Sequence, residues 1–319
     1  MSERQPIPLL VIAGPTAAGK TEMALQVAER VGGEIVSADS MQIYRGMEIG
    51  TAKPTPEERA RAPIHLIDFV APDGEYTVVD FRRDAERAIE QISARGRLPI
   101  LCGGTGLYLR ALTEGFAFPP GPRDETIRRR LQRAARERGS ELLHRRLRAI
   151  DPLAAARIEP GDARRIIRAL EVWELTGEPI SAQQHVDGAW AGRYNAVKYV
   201  LTAPRELLSA RIERRVDRMM AEGWVDEVRQ LLASGVTAQS QSMQAIGYRH
   251  LLEHLEGRRD LAETVMLIKR DTRRYAKRQV TWLRGGAGYR WLSVASDQQR
   301  RACRALIIIA ARRLQEARG

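Results

Sequence analysis

The sequence predicts an α/β fold: a P-loop NTPase-like parallel sheet core with a helical insertion domain and a helical C-terminal part. Three observations carry this expectation. Short apolar runs alternate with segments of helical period early in the chain, the pattern of βαβ units and hence of a parallel sheet covered on both faces. The apolar run 9–13 leads directly into Gly14-Pro15-Thr16-Ala17-Ala18-Gly19-Lys20-Thr21 and then into a helix, which is the context a phosphate-binding loop needs. Strand signals then vanish between Arg123 and Gly177 and return at 196–201. The expected boundaries are 1–118 for the first part of the core, 119–193 for the insertion, and 194–319 for core completion and C-terminal helices.

Taken in order, the first strand is 9–13 and the helix after the loop covers 22–28. Residues 34–37 make a second strand that ends at Ala38-Asp39-Ser40, followed by a polar loop over 41–56. Residues 65–69 read as a strand and 77–94 as a helix with Val78, Phe81, Ala85, Ala88, Ile89 and Ile92 on one face. Residues 98–102 form an apolar strand stopped by Gly103-Gly104, and a helix restarts at 107–112. Phe118-Pro119-Pro120-Gly121-Pro122 breaks the pattern, and an Arg-crowded helical stretch follows. Residues 179–193 read as loop and 196–201 as the fifth strand. Helices are expected at 205–222, 225–233, 247–255, 261–283 and 298–316, with a short strand at 289–292.

The 319 residues allow one large domain with an insertion, or two domains. Hydrophobic residues make up 44% and charged ones 29%, a globular balance. Cys102 and Cys303 form no CxxC pair, which argues against a disulfide framework or zinc module and fits a reducing cytoplasm. The polar start Met1-Ser2-Glu3-Arg4-Gln5 does not read as a signal peptide, and no apolar run is long enough to span a bilayer. The net charge of +12 favours a polyanionic partner, although an Arg-rich proteome would give the same sum.

The loop at 14–21 binds a di- or triphosphate. Its glycines let backbone amides surround phosphate oxygens, and the helix that follows points its positive end at the same anion. Lys20 adds a charge, and the Thr21 hydroxyl can hold Mg²⁺. Ligands in such sheets sit beyond the carboxyl ends of strands, which places Asp39 and Gly103-Gly104-Thr105-Gly106 on the P-loop's edge. Asp39 can act as a base or can cap the turn after it. Thr105 can face the site or cap the next helix. The fourth strand ends without the carboxylate that phosphoryl transfer would use for Mg²⁺. Arg164, Arg165 and Arg168 lie within one helical turn, free to hold phosphates or to pair with Glu171 and Glu174. Lys269, Arg270, Arg273, Arg274, Lys277, Arg278 and Arg284 line one late helix with Tyr275 and Trp282 among them, a composition that suits single-stranded RNA or a solvated face.

The run Asp39-Ser40-Met41-Gln42-Ile43-Tyr44-Arg45-Gly46-Met47-Glu48-Ile49-Gly50-Thr51-Ala52-Lys53-Pro54 resembles the signature of bacterial tRNA dimethylallyltransferases, the IPP transferase family. So do residues 103–112, Arg168-Ala169-Leu170-Glu171-Val172, Ile246-Gly247-Tyr248 and Lys277-Arg278-Gln279-Val280-Thr281-Trp282-Leu283-Arg284, in the same order over nearly the whole chain. The resemblance implies transfer of a dimethylallyl group from dimethylallyl diphosphate to the exocyclic amine of the adenine at tRNA position 37. The tRNAs concerned read codons that begin with uridine. Attack then falls on carbon, and the P-loop, Gly14 through Thr21, holds the diphosphate leaving group with Mg²⁺ and with Arg215 as a further clamp.

By the same resemblance Asp39 is the general base, Lys20 stabilises the leaving group and Thr105 positions it or the flipped adenine. Contacts to the tRNA anticodon stem-loop are implied for Asp39, Ser40, Met41, Gln42, Thr105 and Arg128. They are implied too for Arg164, Arg165, Ile166, Ile167 and Arg168, and for Gln244, Ala245, Ile246, Gly247, Tyr248 and Arg249. Lys277, Arg278, Gln279, Val280, Thr281, Trp282, Leu283 and Arg284 complete that set. The chain departs from the family pattern at Ala18, where serine is common, and at Arg164, where glutamine is common. A cytoplasmic monomer is expected. A small-molecule or nucleotide kinase shares the sheet, loop and Mg²⁺, and a non-catalytic RNA-binding P-loop protein is the remaining alternative.

Overall fold

A computed structural model of the chain describes residues 5–115, 124–183 and 192–317. The chain forms two compact units, Met1–Thr113 with Ala191–Gly319, and Glu114–Trp190. The break expected at 118–122 and most of the expected loop at 179–193 lie outside the described residues.

The first unit holds a six-stranded, all-parallel sheet of order β3-β2-β4-β1-β5-β6. Its strands are β1 (Ile7–Ala13), β2 (Glu34–Ala38), β3 (Ile64–His65), β4 (Pro99–Gly103), β5 (Tyr194–Thr202) and β6 (Tyr289–Ser293). The central strands are apolar throughout because both faces are covered. Helices α1 (Lys20–Val31) and α14 (Asp297–Glu316) share a core with Leu10, Ile12, Ile100 and Leu201. Helix α3 (Val78–Ala94) packs on β1, β2 and β4 through the face set by Phe81, Ala85, Ala88, Ile89 and Ile92. It starts where Thr77 and Asp80 close a capping box. Helix α2 (Pro56–Arg61) lies in the β2–β3 connection, and α4 (Gly106–Thr113) follows β4.

The third strand is shorter than the sequence predicts. Leu66 (φ 58°) and Asp68 (φ 60°) take left-handed backbone, which ends strand pairing after His65. Asp68 is turned instead onto Lys53, at 2.7 Å, and Arg59. The Lys53 ammonium, wholly buried, also donates to Tyr44 O and Glu48 Oε1, so it fastens the 41–56 loop.

After β5 come α10 (Arg205–Ala221), α11 (Trp224–Ala233), a 3-10 turn at Ser242–Gln244, α12 (Tyr248–Leu255) and the long α13 (Leu261–Arg284). The second unit is built from α5 (Glu125–Arg138), α6 (Ser140–Ile150), α7 (Pro152–Ala155), α8 (Ala163–Thr176) and α9 (Ile180–Gln183). The turn of helix at Ile180–Gln183 falls where loop was expected; Asp151 accepts from Ser181 N there and fixes it. Leu131, Leu143, Leu147, Ile166 and Leu170 form this unit's own core. No helix among the described residues is long and apolar enough to cross a membrane.

Candidate active site at the carboxyl edge of the sheet

Strand register decides what meets at the edge. Ala13 and Ala38 each pair with Gly103, so the residues that follow, Gly14, Asp39 and Gly104, leave three adjacent strands at one level. The approach is close: a Cβ on Gly14 would sit 2.4 Å from Leu201 O, and one on Gly104 would lie 3.1 Å from Gly14 O. Glycine at 14 lets the P-loop leave β1 close beside β5, and glycine at 104 keeps the two turns from crowding.

In the P-loop, Ala17 takes φ 64°, unusual for a residue with a Cβ. The amides of Ala17, Gly19, Lys20 and Thr21 donate to no protein group among the described residues. Unsatisfied amides at the start of a helix form an anion site. The Lys20 side chain is half-buried, and its ammonium donates to Pro15 O at 2.9 Å. Burial holds its pKa below the usual lysine range, against the pull of Cys102 and Asp39. Burial likewise lowers Arg215 on α10, and Asp39 opposes the shift, so both cations lie within electrostatic reach of that carboxylate. Ala18 is buried in the core, so its methyl packs where a serine hydroxyl would need a partner.

Asp39 does cap the turn after it: Oδ1 accepts from Met41 N at 2.9 Å and Gln42 N at 3.3 Å. Its Oδ2 accepts no hydrogen bond among the described residues. Thr105 Oγ1 accepts from Ser40 N at 3.1 Å, so Thr105 braces the Asp39 turn rather than capping α4. Gln42 is held by Thr51 O and Ala52 O. Tyr275 on α13 sits with Thr105 and Gln279 beside its hydroxyl, and burial with the Asp39 charge pushes it up to about 12.

Two residues hold this arrangement, and the sequence reading missed the first. Glu227 on α11 is buried and accepts from Glu48 N, Ile49 N, Gly50 N and the Tyr248 hydroxyl, at 2.6–3.1 Å. It anchors the loop that carries Ser40, Met41 and Gln42. Gln279, expected to contact tRNA, turns inward: Oε1 accepts from Thr16 N and Nε2 donates to Gly104 O, both at 2.9 Å.

The seven-cation run on α13 divides in two. Lys269, Arg270, Arg273 and Arg274 pair with Asp217, Asp271, Glu213 and Asp271. Lys277, Arg278 and Arg284 are exposed and make no ion pair among the described residues. Thr281 donates to Lys277 O, Leu283 is buried, Val280 is half-buried, and Arg110 lies 5.0 Å over the Trp282 ring. Near α12, Ala245, Gly247 and Tyr248 are buried and Ile246 is half-buried, leaving Gln244 and Arg249 at the surface. Gln244 donates to Ala238 O and Arg249 pairs with Asp271.

In the second unit, Arg128 and Arg168 both bind Oε2 of the buried Glu171 at 2.9 Å. Arg165 pairs with Asp162. Arg164 is exposed and makes no ion pair among the described residues. Ile166 and Ile167 point into the helical core, so the basic neighbours are what this stretch offers a ligand. Glu174 is taken by Arg130 and Arg146.

A parallel sheet with a P-loop after β1 and ligand groups on the neighbouring strand ends defines the P-loop kinase-like class of α/β proteins. Within it, the IPP transferase family model matches residues 42–286. A tRNA dimethylallyltransferase of Geobacter metallireducens is 53% identical over 292 residues, covering 92% of this chain and 94% of that one. The crystal structure of the full-length tRNA isopentenylpyrophosphate transferase from Bacillus halodurans is 42% identical with TM-score 0.71, covering 98% and 99%. A eukaryotic dimethylallyltransferase acting on tRNA is 28% identical with TM-score 0.75, covering 94% of this chain and 77% of that one. The chain belongs to the IPP transferase family.

Proposed function

We propose that this chain is a tRNA dimethylallyltransferase: it moves a dimethylallyl group from dimethylallyl diphosphate to the exocyclic amine of adenine 37 in tRNAs that read codons beginning with uridine. One observation supports this most directly. The P-loop amides and two half-buried cations share the sheet edge with a carboxylate that has one oxygen without a donor among the described residues, and β4 ends in glycine where a kinase would place a metal-binding carboxylate.

The diphosphate lies against the amides of Ala17, Gly19, Lys20 and Thr21, with Lys20 and Arg215 balancing its charge. As the new C–N bond forms, the allylic C–O bond breaks and its electron pair goes to the diphosphate oxygen. Preorganised donors that meet this developing charge are the main catalytic contribution. The adenine amine loses its proton to Asp39 Oδ2, while Oδ1 stays tied to Met41 and Gln42 and Thr105 keeps the turn in place. The Thr21 hydroxyl is a hard donor at the start of α1, which suits Mg²⁺, an ion that takes its other ligands from phosphate and water. When bound, it would add positive charge at the leaving group. Lys277, Arg278 and Arg284 supply phosphate contacts to the anticodon stem-loop; in the second unit, Arg164 makes no ion pair among the described residues and is open to a phosphate. These offset the few kcal/mol needed to extrude the base. The protein would act in the cytoplasm.

Incubation with dimethylallyl diphosphate and an unmodified anticodon stem-loop, followed by nucleoside mass analysis, tests the reading. Prenylated adenosine is expected. Its absence, with γ-phosphate transfer from ATP to a small acceptor, would replace this reading with the kinase.

A further inference from the structure

On helix α13, Lys277 and Arg284 lie seven residues apart on one side, and Arg278 lies 5.8 Å over the Tyr275 ring at the edge of an uncharged stripe. Tyr275, Gln279 and Trp282 recur at i, i+4 and i+7, which puts them on one face. That face lies on the two glycine turns. A Cβ on Gly104 would come 2.3 Å from Gln279 Nε2, and one on Gly106 would come 2.6 Å from the Trp282 ring. Gln279, 7% exposed, spans the gap with its carboxamide: Oε1 accepts from Thr16 N of the P-loop and Nε2 donates to Gly104 O, next to Thr105. An amide is the side-chain group that offers an acceptor and a donor together on this length of stem. Glutamate can only accept, and methionine does neither.

We propose that Gln279 is a positioning residue for the transfer, locking the P-loop to the Gly104–Thr105 turn so that stem-loop binding on Lys277, Arg278 and Arg284 tightens the diphosphate cradle. This rests on the prenyl-transfer reading above. The connection is short. The cations and the amide share two turns of one rigid helix, so a shift of α13 under a bound stem-loop moves both glycine turns with it. Thr16 lies at the loop's entry and Thr105 braces Asp39, so one side chain sets the spacing between leaving-group site and base.

The test compares Gln279→Met and Gln279→Glu with the unmutated protein. For each, kcat and the KM for dimethylallyl diphosphate are measured with saturating stem-loop. Stem-loop Kd is measured too, as is the Kd of inorganic pyrophosphate with and without stem-loop. In the unmutated protein, pyrophosphate should bind more tightly when stem-loop is present. In Gln279→Met the donor KM should rise roughly ten- to hundredfold, as two buried hydrogen bonds are lost. Stem-loop Kd should stay unchanged and the coupling should vanish. Gln279→Glu keeps the acceptor for Thr16 but sets a carboxylate oxygen against Gly104 O and a negative charge beside the diphosphate, so its donor KM should rise at least as far.

Weakened stem-loop binding with unchanged donor KM would overturn the proposal and make Gln279 a direct RNA contact. Pyrophosphate affinity indifferent to stem-loop in the unmutated protein would overturn it as well. Should the methionine variant not fold, amide hydrogen exchange over residues 14–21 of the unmutated protein decides: slower exchange with stem-loop alone supports the coupling, and unchanged exchange rejects it. Failure of the prenyl-transfer reading is a separate result, since the unmutated protein would then make no prenylated adenosine.

Discussion

Replacing Asp39 by asparagine separates two jobs that one carboxylate holds. Its Oδ1 accepts from Met41 N and Gln42 N. An asparagine oxygen can take the same place, so the turn survives. Alanine removes both bonds, at about 1 kcal/mol for a lost cap. The proton-accepting oxygen is Oδ2, and in asparagine it becomes an amide nitrogen with no basic lone pair. A positioned general base contributes roughly 10²–10⁴-fold, so Asp39→Asn should lose that much in kcat, about 3–5 kcal/mol of barrier. Stem-loop affinity should hold. Single-turnover prenylation by rapid quench, alongside filter binding, measures both.

The Asp39 charge also raises the pKa of Lys20, so its removal lowers that pKa further. A loss routed through Lys20 would raise donor KM and be restored at lower pH. A lost base does neither. Turnover by Asp39→Asn within a few-fold of the unmutated protein would refute the base assignment, as would full rescue by acid.

Glu227→Ala leaves three half-buried backbone amides and the buried Tyr248 hydroxyl without their acceptor. It should cost about 3–5 kcal/mol of stability in urea unfolding; a loss under ~1 kcal/mol would mean that water replaces the carboxylate. Burial keeps the Lys20 pKa low in the free protein, while a bound diphosphate favours the ammonium. Pyrophosphate affinity should therefore fall as pH rises through the lowered pKa, with proton uptake visible by calorimetry in different buffers. Lys20→Arg keeps its charge and should flatten that profile; an unchanged profile assigns the proton elsewhere. Neutralising Lys277, Arg278 and Arg284 together should reduce the salt slope of stem-loop binding by about 2–3, near 0.7–0.9 per phosphate contact. Neutralising the paired Lys269, Arg270 and Arg273 should leave it almost unchanged, and equal effects would mean that ion pairing does not sort these cations.

The order of strands and helices, the P-loop and the shared edge of Asp39 and Gly104 were legible in the sequence. Apolar runs, glycine spacing and helical period are local signals, and in parallel α/β proteins the edge rule converts them into proximity. The early end of β3 was not legible, because it depends on Asp68 finding Lys53 and Arg59 across the fold. The same limit applies to the basic runs. Composition registers seven cations on α13 equally; Asp271 within the helix takes Arg270 and Arg274, Lys269 and Arg273 meet Asp217 and Glu213 of α10 only in the fold, and Lys277, Arg278 and Arg284 make no ion pair among the described residues. Gln279 lies within a basic, RNA-like run, yet its carboxamide faces the P-loop, and Glu227 has no motif around it at all. Chemistry-bearing residue types and their order along the chain are written locally. Which buried polar group satisfies which distant amide is settled when α11 and α13 close on the sheet edge, since an unpaired buried donor is too costly to leave.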